Sequence, residues 1–125
     1  MINLTVIIPF HNEEMFLEES VNRVLKADTA DRILLINDGS NDNSSNIARR
    51  LSSENEVIRY YEIEKRSGKG AALRYGFKYL KTSHVVIHDA DLEYFPKDLV
   101  KMYNLQKKNP NSLILGSRFV GEGIR

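Results

Sequence analysis

His84-Val85-Val86-Ile87-His88-Asp89-Ala90-Asp91-Leu92-Glu93-Tyr94-Phe95 joins a short apolar run to an acidic cluster. Val85, Val86 and Ile87 read as a buried strand. Asp89, Asp91 and Glu93 follow where such a strand leaves its sheet. Three carboxylates this close repel one another and lose hydration when held together. A hard divalent cation with oxygen ligands relieves both penalties. Asp-x-Asp is also the pattern of a solvated acidic loop, so the motif needs support from its surroundings.

Upstream, apolar runs alternate with helical patterns. Leu4 to Ile8 is a β-branched run stopped by Pro9, which predicts a buried strand. Asn12 suits a helix N-cap, Glu13 and Glu14 suit its positive end, and Leu17, Val21, Val24 and Leu25 extend the helix to about Lys26. Residues 33–36 are a second buried strand. Asn37-Asp38-Gly39-Ser40-Asn41-Asp42-Asn43-Ser44 breaks it with turn formers. A helix then carries Ile47 and Leu51 inward to about Ser53. Val57 to Ile63 reads as a more polar third strand near an edge.

Lys65-Arg66-Ser67-Gly68-Lys69-Gly70 is a basic loop. The helix after it, Ala71 to about Lys81, is predicted to turn Leu73, Phe77 and Leu80 inward. Gly76 costs that helix up to about 1 kcal/mol, which predicts close packing at that point. Beyond Pro96, residues 97–107 predict a helix with Leu99, Met102 and Leu105 inward. Residues 113–115 predict a fifth strand leading to Gly116-Ser117-Arg118.

The expected fold is therefore α/β, a Rossmann-like, mostly parallel sheet with helices on both faces. Ligands of such sheets bind outside the carboxyl ends of the strands. The polar residues collect at that edge: Asn12 and Glu13, Asp38 to Ser40, Lys69, Asp89 to Glu93, and Arg118. Five clusters on one edge favour a metal site over a solvated loop.

The chain of 125 residues is expected to form one domain, residues 1–125. Its 42% hydrophobic and 28% charged residues fit a globular class. The net charge of +1 gives no argument for nucleic acid. Lacking cysteine, the chain has no disulfides, thiolate metal sites or thiol catalysis, which is compatible with the cytoplasm. No apolar run is long enough for a signal-peptide core or a membrane span.

Several chemistries fall away. Gly68-Lys69-Gly70 has no Ser or Thr after the lysine, so it is not a Walker A loop, and no dinucleotide fingerprint follows the first strand. Neither acidic loop has the EF-hand glycine. His11, His84 and His88 lack zinc spacing, and His88 reads as a packed neighbour of the core. A phosphatase using Asp89-x-Asp91 would need a Thr where Glu93 stands. A nucleoside diphosphate fits what remains. Asp38 can accept from a base N–H or a ribose hydroxyl, Lys69 and Arg118 can neutralise phosphate oxygens, and a metal on Asp91 can bridge the diphosphate.

Pro9-Phe10-His11-Asn12-Glu13-Glu14, Asn37-Asp38-Gly39-Ser40, Gly68-Lys69-Gly70-Ala71-Ala72 and Asp89-Ala90-Asp91-Leu92-Glu93-Tyr94 together resemble the motif series of family 2 glycosyltransferases with the GT-A fold. Among them, the series is most similar to the dolichyl- or polyprenyl-phosphate sugar transferases. The resemblance implies inverting transfer from a UDP- or GDP-linked sugar to a lipid phosphate or glycan. It implies a nucleotide-sugar pocket lined by Pro9, Phe10, Asn12, Glu13, Asp38, Gly39, Lys69, Asp89 and Ala90. Mg²⁺ or Mn²⁺ would sit on Asp89, Asp91 and Glu93, with Asp91 and Arg118 as catalytic residues.

Phe95 departs from the pattern, which expects an acidic residue before Pro96. Family members also continue well past Gly-Ser-Arg, so the chain resembles a donor-binding part of a GT-A domain. That leaves a non-catalytic nucleotide-sugar-binding or assembly module as the alternative. The resemblance places the protein in the cytoplasm or at the cytoplasmic face of a membrane. An unfinished sheet edge favours a homo-oligomer.

Overall fold

The computed structural model describes residues 3–88 and residue Ala90. The predicted acidic ligands Asp89, Asp91 and Glu93, the helix over 97–107, the fifth strand and Arg118 lie outside the described residues. The described elements are β1 (Leu4–Phe10), α1 (Leu17–Ala27), β2 (Arg32–Asp38), α2 (Ser44–Glu54), β3 (Ile58–Ile63), α3 (Lys69–Phe77) and β4 (His84–Ile87). The strands form one parallel sheet in the order β3-β2-β1-β4. The expected α/β architecture, a parallel sheet with helices on both faces, is what the described residues adopt.

Residues alternate across a strand, so each strand feeds two cores. Val6, Ile8 and Phe10 of β1 and Ile33 and Leu35 of β2 pack with Leu17, Val21 and Val24 of α1 and Ala48 and Leu51 of α2. Ile7, Leu34 and Ile36 point the other way and pack with Ala72 of α3. All seven residues of β1 are buried, as a parallel strand covered on both faces requires.

Three local expectations need correction. Pro9 does not end β1. The strand continues to Phe10, and Pro9 and Phe10 remain paired with Ile36 and Asn37. Asn12 is not a helix cap: its φ is +51°, and α1 starts only at Leu17, where no side chain caps it. Phe77 does not face the core, being 39% exposed. The inner stripe of α3 is instead Ala72 and Gly76, with Leu73 and Leu80 half-buried beside it. A Cβ on Gly76 would stand 3.2 Å from Ile36 and 3.5 Å from Ile7, so the helix lies close on the sheet. The close packing expected at Gly76 is therefore observed, and it turns the bulky aromatic away from the sheet.

Candidate functional site

The carboxyl ends of β1 and β2 open into loops that are bonded to each other. Asn12 in its left-handed conformation presents successive N–H groups to the second loop. Asn12 N–H donates to Ser40 Oγ (2.9 Å), Glu13 N–H to Ser44 Oγ (2.8 Å) and Glu14 N–H to Asp42 Oδ2 (3.2 Å). In return, Asn41 N–H donates to Asn12 Oδ1 at 2.8 Å. The turn formers of residues 37–44 thus supply acceptors to a distant loop as well as shaping their own. Asn37 anchors them: its Oδ1 accepts from Ser40 N–H (2.9 Å), and its amide donates to Ser45 and to Tyr60 (both 2.8 Å).

Burial pushes the Asp42 carboxyl up, but hydrogen bonds from Ser44 and from the Glu14 N–H outweigh it and hold the group below the usual carboxylate range. A depressed folded-state pKa gives stability that is present above the unfolded pKa, about 4, and is lost as pH falls through the folded value. In urea melts, Asp42→Ala should be less stable than the parent at pH 6, and the gap should close as pH drops below about 4. A gap of equal size at both pH values would rule out the ionised carboxylate as its source.

Asp38 sits at the end of β2 and is 4% exposed. Its Oδ1 accepts from Ser67 N–H (2.7 Å) and its Oδ2 from Gly68 N–H (2.9 Å). Those amides lie immediately ahead of α3, Gly68 being its N-cap, so a buried carboxylate lies against the positive end of that helix, where the dipole favours it. The basic loop is thereby pulled onto the β2 turn. Gly39, at φ +64°, leaves room for it: a Cβ there would lie 2.4 Å from Arg66 N and 2.8 Å from Lys65 C. The Asp38 carbonyl accepts from His11 Nδ1–H at 2.7 Å, which fixes the tautomer and orients the ring from the end of β1.

These contacts enclose a cleft of about 290 Å³. Of the residues expected at the nucleotide pocket, Pro9, Phe10, Glu13, Asp38, Lys69 and Ala90 line it. Asn12 and Gly39 do not; both shape the loops around it. His11, Arg66 and Ala72 also line the cleft, and sequence reasoning did not single them out. Arg66 had a signal in the basic loop already quoted, and His11 lies inside the first-strand motif. The role of His11 depends on a carbonyl 27 residues away, for which the local sequence gives no sign.

His88 is fully buried, with Nε2 and Ser20 Oγ 2.9 Å apart, in keeping with its reading as a packed neighbour. Among the described residues, no group of three His, Asp or Glu side chains could hold a metal. The metal question falls on Asp89, Asp91 and Glu93. The test the described residues permit is that Ala90, which separates the two aspartates in sequence, lines the cleft. Carboxylate oxygens also match Mg²⁺ or Mn²⁺ in hardness.

A parallel α/β sheet with a charged cleft at its carboxyl edge defines an α/β protein with its ligand site at the strand ends. The family profile of glycosyl transferase family 2 matches residues 5–124, and the chain belongs to that family. Glycosyltransferase AglD of Haloferax volcanii is 27% identical over 130 residues, covering 98% of this chain and 21% of that protein. The mannosyltransferase PcManGT from Pyrobaculum calidifontis, solved with GDP-Man and Mn²⁺, is 26% identical with a TM-score of 0.70, over 78% of this chain and 30% of that one. GalNAc-T7, solved with UDP, GalNAc and Mn²⁺, is 26% identical with a TM-score of 0.64, over 72% of this chain and 18% of that one. The chain spans between 16% and 34% of the length of three curated relatives it matches.

Proposed function

We propose that this chain carries the donor site of a glycosyltransferase that moves a sugar, with inversion, from a UDP- or GDP-linked sugar to a polyprenyl or dolichyl phosphate. The observation that carries the reading is the cleft itself. Its walls bring two cations, Arg66 and Lys69, to the same space as two carboxylates, Glu13 and Asp38. Arg66 and Lys69 suit the diphosphate, because guanidinium and ammonium donors pair strongly with phosphate oxygens. Glu13 and the free lone pairs of Asp38 suit the N–H and hydroxyl donors of the base and ribose. Pro9, Phe10 and Ala72 give the apolar remainder of the wall.

Asp91, with Asp89 and Glu93, would hold Mg²⁺ or Mn²⁺. A bound metal supplies charge neutralisation to the departing nucleoside diphosphate. Arg118 would face a phosphate of donor or acceptor. A lipid phosphate is an anion at neutral pH, so its oxygen can attack the anomeric carbon without a strong general base; a sugar hydroxyl would need one. The Mn²⁺ complexes of PcManGT and GalNAc-T7 support the metal, and the GDP-Man complex supports the donor class.

The test is a thermal-shift panel of UDP-, GDP- and dTDP-sugars with Mn²⁺. A ligand that binds only the folded state at 100 times its dissociation constant adds about 2.7 kcal/mol, or on the order of 10 °C for a domain of this size. One nucleotide class should give that shift, and Asp91→Ala should remove its Mn²⁺-dependent part. No shift with any sugar nucleotide would sink the donor reading. Equal shifts with and without metal would sink the metal site. Donor binding by the full-length protein without sugar transfer to polyprenyl phosphate would leave a nucleotide-sugar-binding or assembly module.

A further inference from the structure

The net charge of +1 conceals an uneven distribution. Residues 65–88 contain six lysines and arginines and no carboxylate. The first three of these cations, Lys65, Arg66 and Lys69, stand at the cleft end of α3. The other three, Arg74, Lys78 and Lys81, are exposed along the outer side of the helix and just past its end. The opposite face of the sheet is different. Its helices carry paired charges, Arg23 with Glu19 at 2.6 Å and Arg50 with Glu18 at 2.6 Å and Glu54 at 3.2 Å. Among the described residues, no carboxylate pairs with Arg74, Lys78 or Lys81.

Phe77 stands in the middle of this stripe, 39% exposed. Positions 74, 77 and 78 are three and four apart, so they share one side of the helix, and Lys81 follows just past its end. Tyr75 borders them, its ring centroid 5.5 Å from the Lys78 ammonium. Arg74, Tyr75 and Lys78 also line a shallow groove with Ile63 and Ala71. Cations flanking an exposed phenyl ring on the outer side of a helix match the boundary of an anionic bilayer, where charge meets headgroups and rings enter the acyl margin. A single-stranded nucleic acid would stack on rings inside the basic groove; Phe77, the exposed ring of the stripe, lies outside that groove, and an exposed phenyl ring adds no hydrogen bond to an acidic protein partner.

We propose that the outer face of α3, centred on Arg74, Phe77 and Lys78, docks this protein on an anionic phospholipid surface. The docking goes beyond the donor-site reading and does not depend on it. It also has a geometric sequel. Lys69 and Lys78 lie nine residues apart on α3, or about 14 Å at the helical rise. A bilayer held at Lys78 therefore lies within about 14 Å of the cleft wall, measured along the helix.

The experiment is co-sedimentation of the full-length protein with two kinds of vesicle. One is equal parts phosphatidylglycerol and phosphatidylcholine; the other is phosphatidylcholine alone. The protein should partition to the anionic vesicles only, and less at raised ionic strength. Each cation near such a surface is worth about fivefold in partitioning, so R74E/K78E should weaken binding by at least about 25-fold. Phe77→Ser should weaken it severalfold, while Lys26→Glu on α1 should leave it unchanged. All substituted side chains are exposed, and far-UV circular dichroism confirms that each variant is folded. No binding to anionic vesicles, or equal binding by R74E/K78E and the parent, overturns the proposal. Retention on single-stranded RNA with no vesicle binding also overturns it, in favour of a nucleic-acid surface. Donor-induced thermal shifts are read separately, so loss of either result leaves the other standing.

Discussion

Gly39→Ala is expected to destabilise the fold by about 2–5 kcal/mol, combining left-handed backbone strain with overpacking. The added methyl would meet Arg66 N at 2.4 Å and Lys65 C at 2.8 Å. Both obstacles are backbone, so no rotamer change relieves them. At φ +64° the Cβ is also strained before any neighbour is considered. The loop can escape only by lifting away, which breaks the two bonds from Ser67 and Gly68 to Asp38. Urea unfolding of both proteins reads the loss, and a difference below about 0.5 kcal/mol, within the range of ordinary surface substitutions, would contradict it.

Asp38→Ala attacks the same junction from the other side. It leaves the partly buried Ser67 and Gly68 N–H groups without their acceptors. Hydrogen bonds to a charged group contribute about 1.5–3 kcal/mol each, so the loss should total about 2–4 kcal/mol after water recovers some of the bonding. Arg66 and Lys69 ride on the released loop, so donor affinity should fall with stability. Asp38→Asn should recover little, because one oxygen becomes an NH₂ that faces an N–H donor. Urea melts measure the first effect, and titration with the nucleotide sugar that shifts the parent measures the second. Full donor affinity in a folded Asp38→Ala protein would show that the loop keeps its place without the carboxylate.

The two strongest predictions meet at a contact that no local pattern announces. Asp38 lies 29 and 30 residues from its partners, and turn chemistry alone explains why Asp-Gly stands there. What was legible was the period of each element. The runs at residues 4–8 and 33–36 are apolar enough to mark strands buried on both faces, and β1 and β2 follow. The start of α1 was not legible, because the N–H groups of Asn12, Glu13 and Glu14 are taken by the second loop instead of by a helix. Helical spacing placed Leu73 and Leu80 against the sheet correctly but not Phe77. Leu73, Phe77 and Leu80 look like a core face in isolation. Close contact with Ile36 and Ile7 instead selects the smallest residues, Ala72 and Gly76. At the site, Pro9, Phe10 and Asp38 end strands and Lys69 belongs to the basic loop, whereas Glu13 and Ala90 entered only through the family's motif series. His11 was hidden because its partner is backbone.

The strand order has a further consequence, in time instead of space. β1 is made early, yet it lies between β2 and β4. Its partner on one side comes 27 residues later (Thr5 with Arg32) and on the other 80 residues later (Leu4 with His84). Synthesis runs at about 5–20 residues per second, so the second partner trails β1 by several seconds. Until His84 to Ile87 leave the ribosome, one long edge of a mostly apolar strand has no neighbour, and such edges pair readily with foreign chains. The same four residues that lead into Asp89 and Asp91 close the most aggregation-prone edge of the nascent protein.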